Sequence, residues 1–124
     1  MLPIRSLLKP TTSFAFRRAM SSLPSRTFLI YAPDLPDAAP RRAKVRAEHL
    51  AGNTDRMDTG IFMLGGALLD TEGKMVGSAI VMRAESLDEV KEYVEQDIYT
   101  KGGVWDPAKL VITEFKAAPK APPA

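Results

Sequence analysis

One histidine, His49, and no cysteine stand in this chain of 124 residues. Those two facts exclude thiol nucleophiles, disulfide frameworks, thiolate metal sites and the ordinary zinc site. A site needing two imidazoles would have to take the second from another subunit. No glycine-rich loop precedes a lysine and a hydroxyl residue, so nothing predicts a phosphate cradle. The acids do not cluster at ligand spacing, and neither a metal nor an organic cofactor is expected. What remains is a single imidazole, a group able to exchange protons at physiological pH.

At helical spacing Arg42, Arg46, His49 and Asn53 form a polar stripe. Beside it runs a second stripe of Ala43, Ala47, Leu50, Thr54 and Met57, taken as the buried one. The polar stripe then falls at the boundary of core and solvent, where the wall of a cleft would stand. A solvated surface histidine between two arginines shows the same pattern, and spacing does not separate the two. The second residue of interest is Asp97, in Asp97-Ile98-Tyr99 ahead of Lys101-Gly102-Gly103-Val104-Trp105. A carboxylate beside an imidazole fixes its tautomer and stabilises its charged form. An aspartate at the C-terminal end of a helix opposes the helix dipole, so its position needs a reason. A turn-forming aspartate is the plain one. Gly65-Gly66, inside an apolar run, predicts a bulge or a close backbone approach, not a nucleotide loop.

These residues need elements to hold them. Residues 27–32 are β-branched and aromatic and end at Pro33, which predicts a first strand. After a loop over 34–40, Pro40 suits the first turn of a helix running to about Thr59 and closed by Gly60. Residues 61–69 predict a second strand and 75–83 a third, joined through Asp70-Thr71-Glu72-Gly73 as a hairpin. Ser86 and Glu89 form a capping box opening a short helix with Leu87, Val90 and Val94 on one face. Residues 110–115 give the last strand. The order βαββαβ predicts a ferredoxin-like α+β domain over 26–117, an antiparallel sheet with both helices on one face. Its strands are nevertheless apolar on both faces, as in Phe28-Leu29-Ile30-Tyr31, Phe62-Met63-Leu64 and Ile80-Val81-Met82. Such strands are buried on both sides. Helices cover only one, so a second copy is expected on the other, and the chain is expected to be a homodimer.

Charge divides the chain. The formal net charge is +2, yet residues 1–32 hold five basic residues and no acid. Without residues 1–20 the remainder carries thirteen basic against fifteen acidic residues. No basic patch for nucleic acid survives that subtraction. The segment 1–20 is basic, acid-free and hydroxyl-bearing, the profile of a mitochondrial targeting peptide, and delivery to the matrix is expected. Arg18 ahead of Ser21-Ser22 places the cleavage after about Met20. The longest apolar run has nine residues against the roughly 20 that a membrane span needs, so no membrane segment is expected. Residues 118–124, rich in proline and alanine, predict a disordered tail.

The βαββαβ order resembles the YCII-related domain. So do Arg46-Ala47-Glu48-His49-Leu50 in the first helix, Leu64-Gly65-Gly66-Ala67-Leu68 in the second strand, and Asp97-Ile98-Tyr99 before Gly103-Val104. The likeness spans about residues 27–116. It implies a dimeric α+β barrel of two ferredoxin-like sheets, with a histidine–aspartate pair in a pocket beside the sheet. The histidine carries over to His49 and the aspartate to Asp97. The two are then expected to share one cleft within hydrogen-bonding reach. One relative removes chloride from a chlorinated hydroxyquinol, and the wider superfamily holds isomerases and monooxygenases of small aromatic or lactone compounds. Two departures stand out. The family favours Asp-Pro-Tyr where Ile98 stands here, which loosens the hold on Asp97, and Gly-Pro where this chain has Gly65-Gly66, which reshapes the pocket floor.

The resemblance implies a small-molecule enzyme working by general acid–base chemistry, a lyase, isomerase or dehalogenase-like step without a cofactor. His49 would be the base or acid and Asp97 its orienting partner. Arg46 and Tyr99 would meet an anionic or phenolic substrate, with Gly65 and Gly66 beside it. A non-catalytic dimer that binds a metabolite or a protein partner through the same cleft is the alternative. A haem-binding relative using His49 as axial ligand is a third.

Overall fold

A computed structural model describes residues 22–120. The expected targeting segment and the end of the expected tail lie outside them. In β1 (Thr27–Pro33) burial alternates, with Phe28, Ile30 and Ala32 inward and Tyr31 outward. That is the period-two signature of a strand with one covered face. β2 (Phe62–Leu69), β3 (Met75–Arg83) and β4 (Val111–Glu114) complete an antiparallel sheet in the order β2-β3-β1-β4. This is the ferredoxin-like arrangement.

Register fixes which residues share a face. Ile30 stands opposite Ile80 and Ile112, and Phe28 opposite Met82. These join Val90, Tyr93 and Val94 of α3 (Leu87–Gln96) in the core. On the other face Leu29 stands opposite Val81, which in turn faces Leu64, and Tyr31 stands opposite Val111. That face is apolar and uncovered in the single chain, with Tyr31 46% and Leu64 69% exposed.

The sequence predicted one helix from Pro40 to Thr59; the structure has two, α1 (Ala39–Gly52) and α2 (Thr54–Thr59). Asn53 makes the break. Its side-chain amide donates to the His49 carbonyl at 2.9 Å, which occupies an acceptor of α1's last turn. Gly60 closes α2 in the left-handed region, φ 85°, as expected.

A larger correction concerns which side of α1 faces inward. The stripe taken as buried is outside: Ala43, Ala47 and Thr54 are exposed, as are Leu50 at 50% and Met57. Of the polar stripe Arg42, 5% exposed, and Asn53 are inside and His49 is half-buried, while Arg46 stays exposed. Burial is tolerable because Arg42 finds partners. Its Nε donates to Asp34 at 2.9 Å, and its Nη2 donates to the Gly77 carbonyl at 2.7 Å and to Ser78 Oγ at 2.8 Å. A buried cation so surrounded keeps most of what it loses by leaving water. Two smaller corrections follow. The irregularities of β2 fall between Phe62 and Leu64 and between Leu68 and Leu69, not at Gly65-Gly66. A one-turn helix absent from the expected order, α4 (Ile98–Lys101), follows Asp97.

Gly77 is the tightest point of the sheet. A β-carbon there would stand 2.9 Å from the Ala32 carbonyl oxygen and 3.1 Å from Leu68 Cδ1. Gly77→Ala should therefore destabilise the fold by about 1–3 kcal/mol through overpacking, read as a lowered denaturant midpoint at unchanged slope.

Candidate functional site

Four stretches of backbone meet at the carboxylate of Asp97. It ends α3 and begins α4, where its Oδ1 accepts from the Tyr99 N–H at 2.8 Å. This is the reason for an acid at a helix C-terminus: it is the N-cap of the next helix, a favoured role for aspartate. His49 Nδ1, from α1, lies 2.7 Å from the same oxygen. Oδ2 accepts from Tyr93 Oη at 3.0 Å and from Asn53 Nδ2 at 3.2 Å. The side chains of His49 and Asp97 are 12% and 4% exposed. The structure thus brings together the two residues that the family resemblance implied would share one cleft, 48 positions apart.

Burial alone would raise the Asp97 carboxyl above its ordinary value. The hydrogen bonds from His49, from the Tyr99 N–H and from Asn53 outweigh it and keep the carboxyl below the usual carboxylate range. Burial, with the adjacent Asp97 charge, pushes the Tyr93 phenol well above its ordinary value, so it stays a donor. An ionised carboxylate only accepts, so His49 Nδ1 must carry a proton. In the neutral ring Nε2 then holds the free lone pair. It has no hydrogen-bond partner among the described residues.

His49 lines a cavity of about 270 Å³ between α1 and the β2–β3 side of the sheet. Arg46, Ser78 and Tyr99 add polar groups to its wall, and Gly65 and Gly66 keep one side low. A β-carbon at Gly65 would meet only Ile80 Cγ1, at 3.8 Å, and one at Gly66 nothing within 4 Å. The glycines leave space open; they do not mark the backbone approach that the sequence suggested. Arg46 is exposed and makes no ion pair or hydrogen bond among the described residues. Tyr99 is buried, and its ring lies parallel to the His49 imidazole with centroids 3.8 Å apart. Trp105 stands edge-on to both rings. Burial raises the Tyr99 phenol above its ordinary value, against the pull of Arg42 and Arg46. With Ile98 in place of the family's proline, the Asp97 carboxylate is held by four donors.

Sequence reasoning passed over Tyr93, Ser78, Trp105 and Asp34. Tyr93 stands four residues before Asp97 on the buried face of α3, the separation at which helical side chains meet. That signal was present. Ser78, Trp105 and Asp34 reach the site through sheet register and loop packing, for which local spacing has no signature. Among the described residues no group of three His, Asp or Glu side chains could hold a metal ion.

Residues 27–116 match the YCII-related domain. The chain belongs to the YCII family. It is 34% identical over 98 residues to fusaric acid biosynthesis protein 2 of Gibberella fujikuroi, covering 74% of this chain and 94% of that one. It is 33% identical to an aspartate kinase of Fusarium oxysporum, of which it spans only 18%, so the similarity concerns one part of that longer protein. Among solved structures it resembles 5-chloro-2-hydroxyhydroquinone dehydrochlorinase from Burkholderia phenoliruptrix, in complex with 2,5-dihydroxybenzoquinone. The TM-score is 0.67 at 33% identity, over 74% of this chain and 95% of that one. YCII relatives of this chain therefore include an enzyme of a small aromatic compound.

Because the Asp97 carboxyl titrates below its unfolded value, its ionised form stabilises the fold above about pH 4, and that contribution is lost as pH falls through the folded value. Asp97→Asn should cost about 1–3 kcal/mol at pH 7. Its stability should also fall less steeply than wild type below pH 4, as read by chemical denaturation across pH. An equally steep acid decline in the variant would contradict the assignment.

Proposed function

We propose that this YCII chain is a small-molecule enzyme of the mitochondrial matrix that uses His49 as general base and Asp97 to hold it. The supporting observation is the disposition of one ring. Nδ1 is tied to a buried carboxylate, while Nε2 has no partner among the described residues, on a side chain that lines a cavity. A group so held needs no reorganisation before it accepts a proton. The substrate is a planar compound with an acidic hydroxyl or a hydrogen next to a carbonyl. Nε2 takes the proton and the ring becomes an imidazolium, which the Asp97 charge stabilises. The electron pair left behind moves into the conjugated system, where it shifts a double bond or expels a leaving group. Arg46, exposed at the cavity wall and without a partner among the described residues, meets the anionic substrate. The chemistry is of lyase or isomerase type and draws on no cofactor.

A YCII-like dehydrochlorinase with a ring-shaped ligand is consistent with this proposal, and 5-chloro-2-hydroxyhydroquinone is the natural first substrate to try. His49→Ala should lower turnover by roughly 10²- to 10⁴-fold with the fold intact, the usual contribution of a positioned base. Turnover unchanged by His49→Ala would remove His49 from the base role, and binding without turnover by the wild-type protein would favour the alternative, a module that only binds.

The uncovered sheet face carrying Tyr31, Leu64, Val81 and Val111 supports a second proposal, a homodimer packed sheet against sheet. A contiguous apolar surface of this kind is a liability in a monomer. Sedimentation at micromolar concentration should give twice the chain mass, and Leu64→Glu together with Val111→Glu should return it to one. A stable wild-type monomer would rule the dimer out.

A further inference from the structure

Ser78 sits on β3 with its side chain at the cavity, 4% exposed. Its oxygen accepts two hydrogen bonds, from Arg42 Nη2 at 2.8 Å and from Trp105 Nε1 at 3.1 Å. A serine hydroxyl has two lone pairs and one proton. Both acceptor positions are filled, by a guanidinium and by an indole, neither of which can take a proton in return. The hydroxyl can therefore act only as a donor, and among the described residues nothing accepts from it. Arg42 repeats the pattern. Its Nε and Nη2 are engaged with Asp34, Gly77 and Ser78, while Nη1 has no partner among the described residues, on a side chain that also lines the cavity.

We infer that Ser78 and Arg42 form an anion site inside the cavity, built to hold a deprotonated oxygen of the ligand. The inference rests on the proposed proton transfer to His49 and says where the resulting charge goes. Donation to Ser78 by a cation and an indole polarises its hydroxyl, and hydrogen bonds to a charged acceptor are the strong ones. The donors are fixed before the ligand arrives, because each is tied at its far side to the sheet. The His49 imidazole and the Arg42 guanidinium both rest against the Tyr99 ring, at 3.8 and 4.8 Å from its centroid. Base and anion site thus share the Tyr99 ring as a common wall and line the same cavity. The ligand class is a planar ring with an enolic or phenolic oxygen at the end away from the base. Arg46, at the exposed wall, then attracts the charge, while Ser78 and Arg42 select for it.

The test is equilibrium binding of 2,5-dihydroxybenzoquinone, an anion at neutral pH, and of its neutral dimethyl ether, to the wild-type protein and to Ser78→Ala and Ser78→Thr. Ser78→Ala should weaken binding of the anion by on the order of tenfold or more. Its affinity for the neutral ether should stay within about twofold. Ser78→Thr, which keeps the hydroxyl, should restore the anion's affinity. Equal losses for both ligands would mean that Ser78 only supports Arg42 and Trp105, and would overturn the anion site. So would unaltered binding of the anion to Ser78→Ala, which leaves the role of His49 standing. Failure of the wild-type protein to bind the anion at all would overturn both.

Discussion

A carboxylate removed from water must be given hydrogen bonds or it will not stay ionised. At Asp97 that requirement is met by four donors, and each comes from a different stretch of backbone: α1, the break after it, α3 and α4. The geometry of the site follows. His49 cannot move without taking one of the four donors from Asp97, and α1 cannot slide along α4 without moving His49. Asn53 serves twice, capping the helix that carries His49 and bonding the acid that His49 faces. A buried acid is therefore the joint that sets how the helices meet.

The inner face of α1 is consequently polar where most helices over a sheet are apolar. Its upper half is held by the Arg42–Asp34 pair, with both side chains 6% exposed, and its lower half by His49 and Asp97. Buried ion pairs such as Arg42–Asp34 contribute little net stability, yet breaking one leaves an unpaired charge and costs several kcal/mol. They reward one arrangement of the chain over its near alternatives. The apolar core lies chiefly to the other side, among Phe28, Ile30, Met82, Val90 and Tyr93, and supplies the bulk of the hydrophobic stabilisation, while its members Phe62, Ile80 and Tyr99 also line the cavity.

How legible all this was in the sequence differs by level. Strand order and the β3 limits followed from apolar runs and turn chemistry, which act locally and leave a periodic trace. Asp70 and Gly73 made their turn, and Ser86 accepted from the Glu89 N–H, where those residue types predict it. The face of α1 was misread because a helical wheel weighs residues by hydropathy. Arg42 and Asn53 are buried only because Asp34, Ser78 and Asp97 lie elsewhere in the chain to satisfy them, and no window of neighbours contains that fact. Ala43 and Ala47 looked like core positions, but alanine is nearly as content outside a helix bundle as inside. The nearness of His49 and Asp97 came from resemblance to a family; spacing alone left both with surface explanations.

Trp105 is the only tryptophan in the chain, and its ring edge faces the His49 imidazole at 5.9 Å between centroids. An indole that close to a titrating ring senses its charge, because a protonated imidazole quenches indole emission more strongly than a neutral one. The same indole donates to Ser78 at 3.1 Å. One chromophore thus touches both the group that takes the proton and the group that meets the anion. The site carries its own optical reporter, and its protonation and occupancy can be followed by emission without a label.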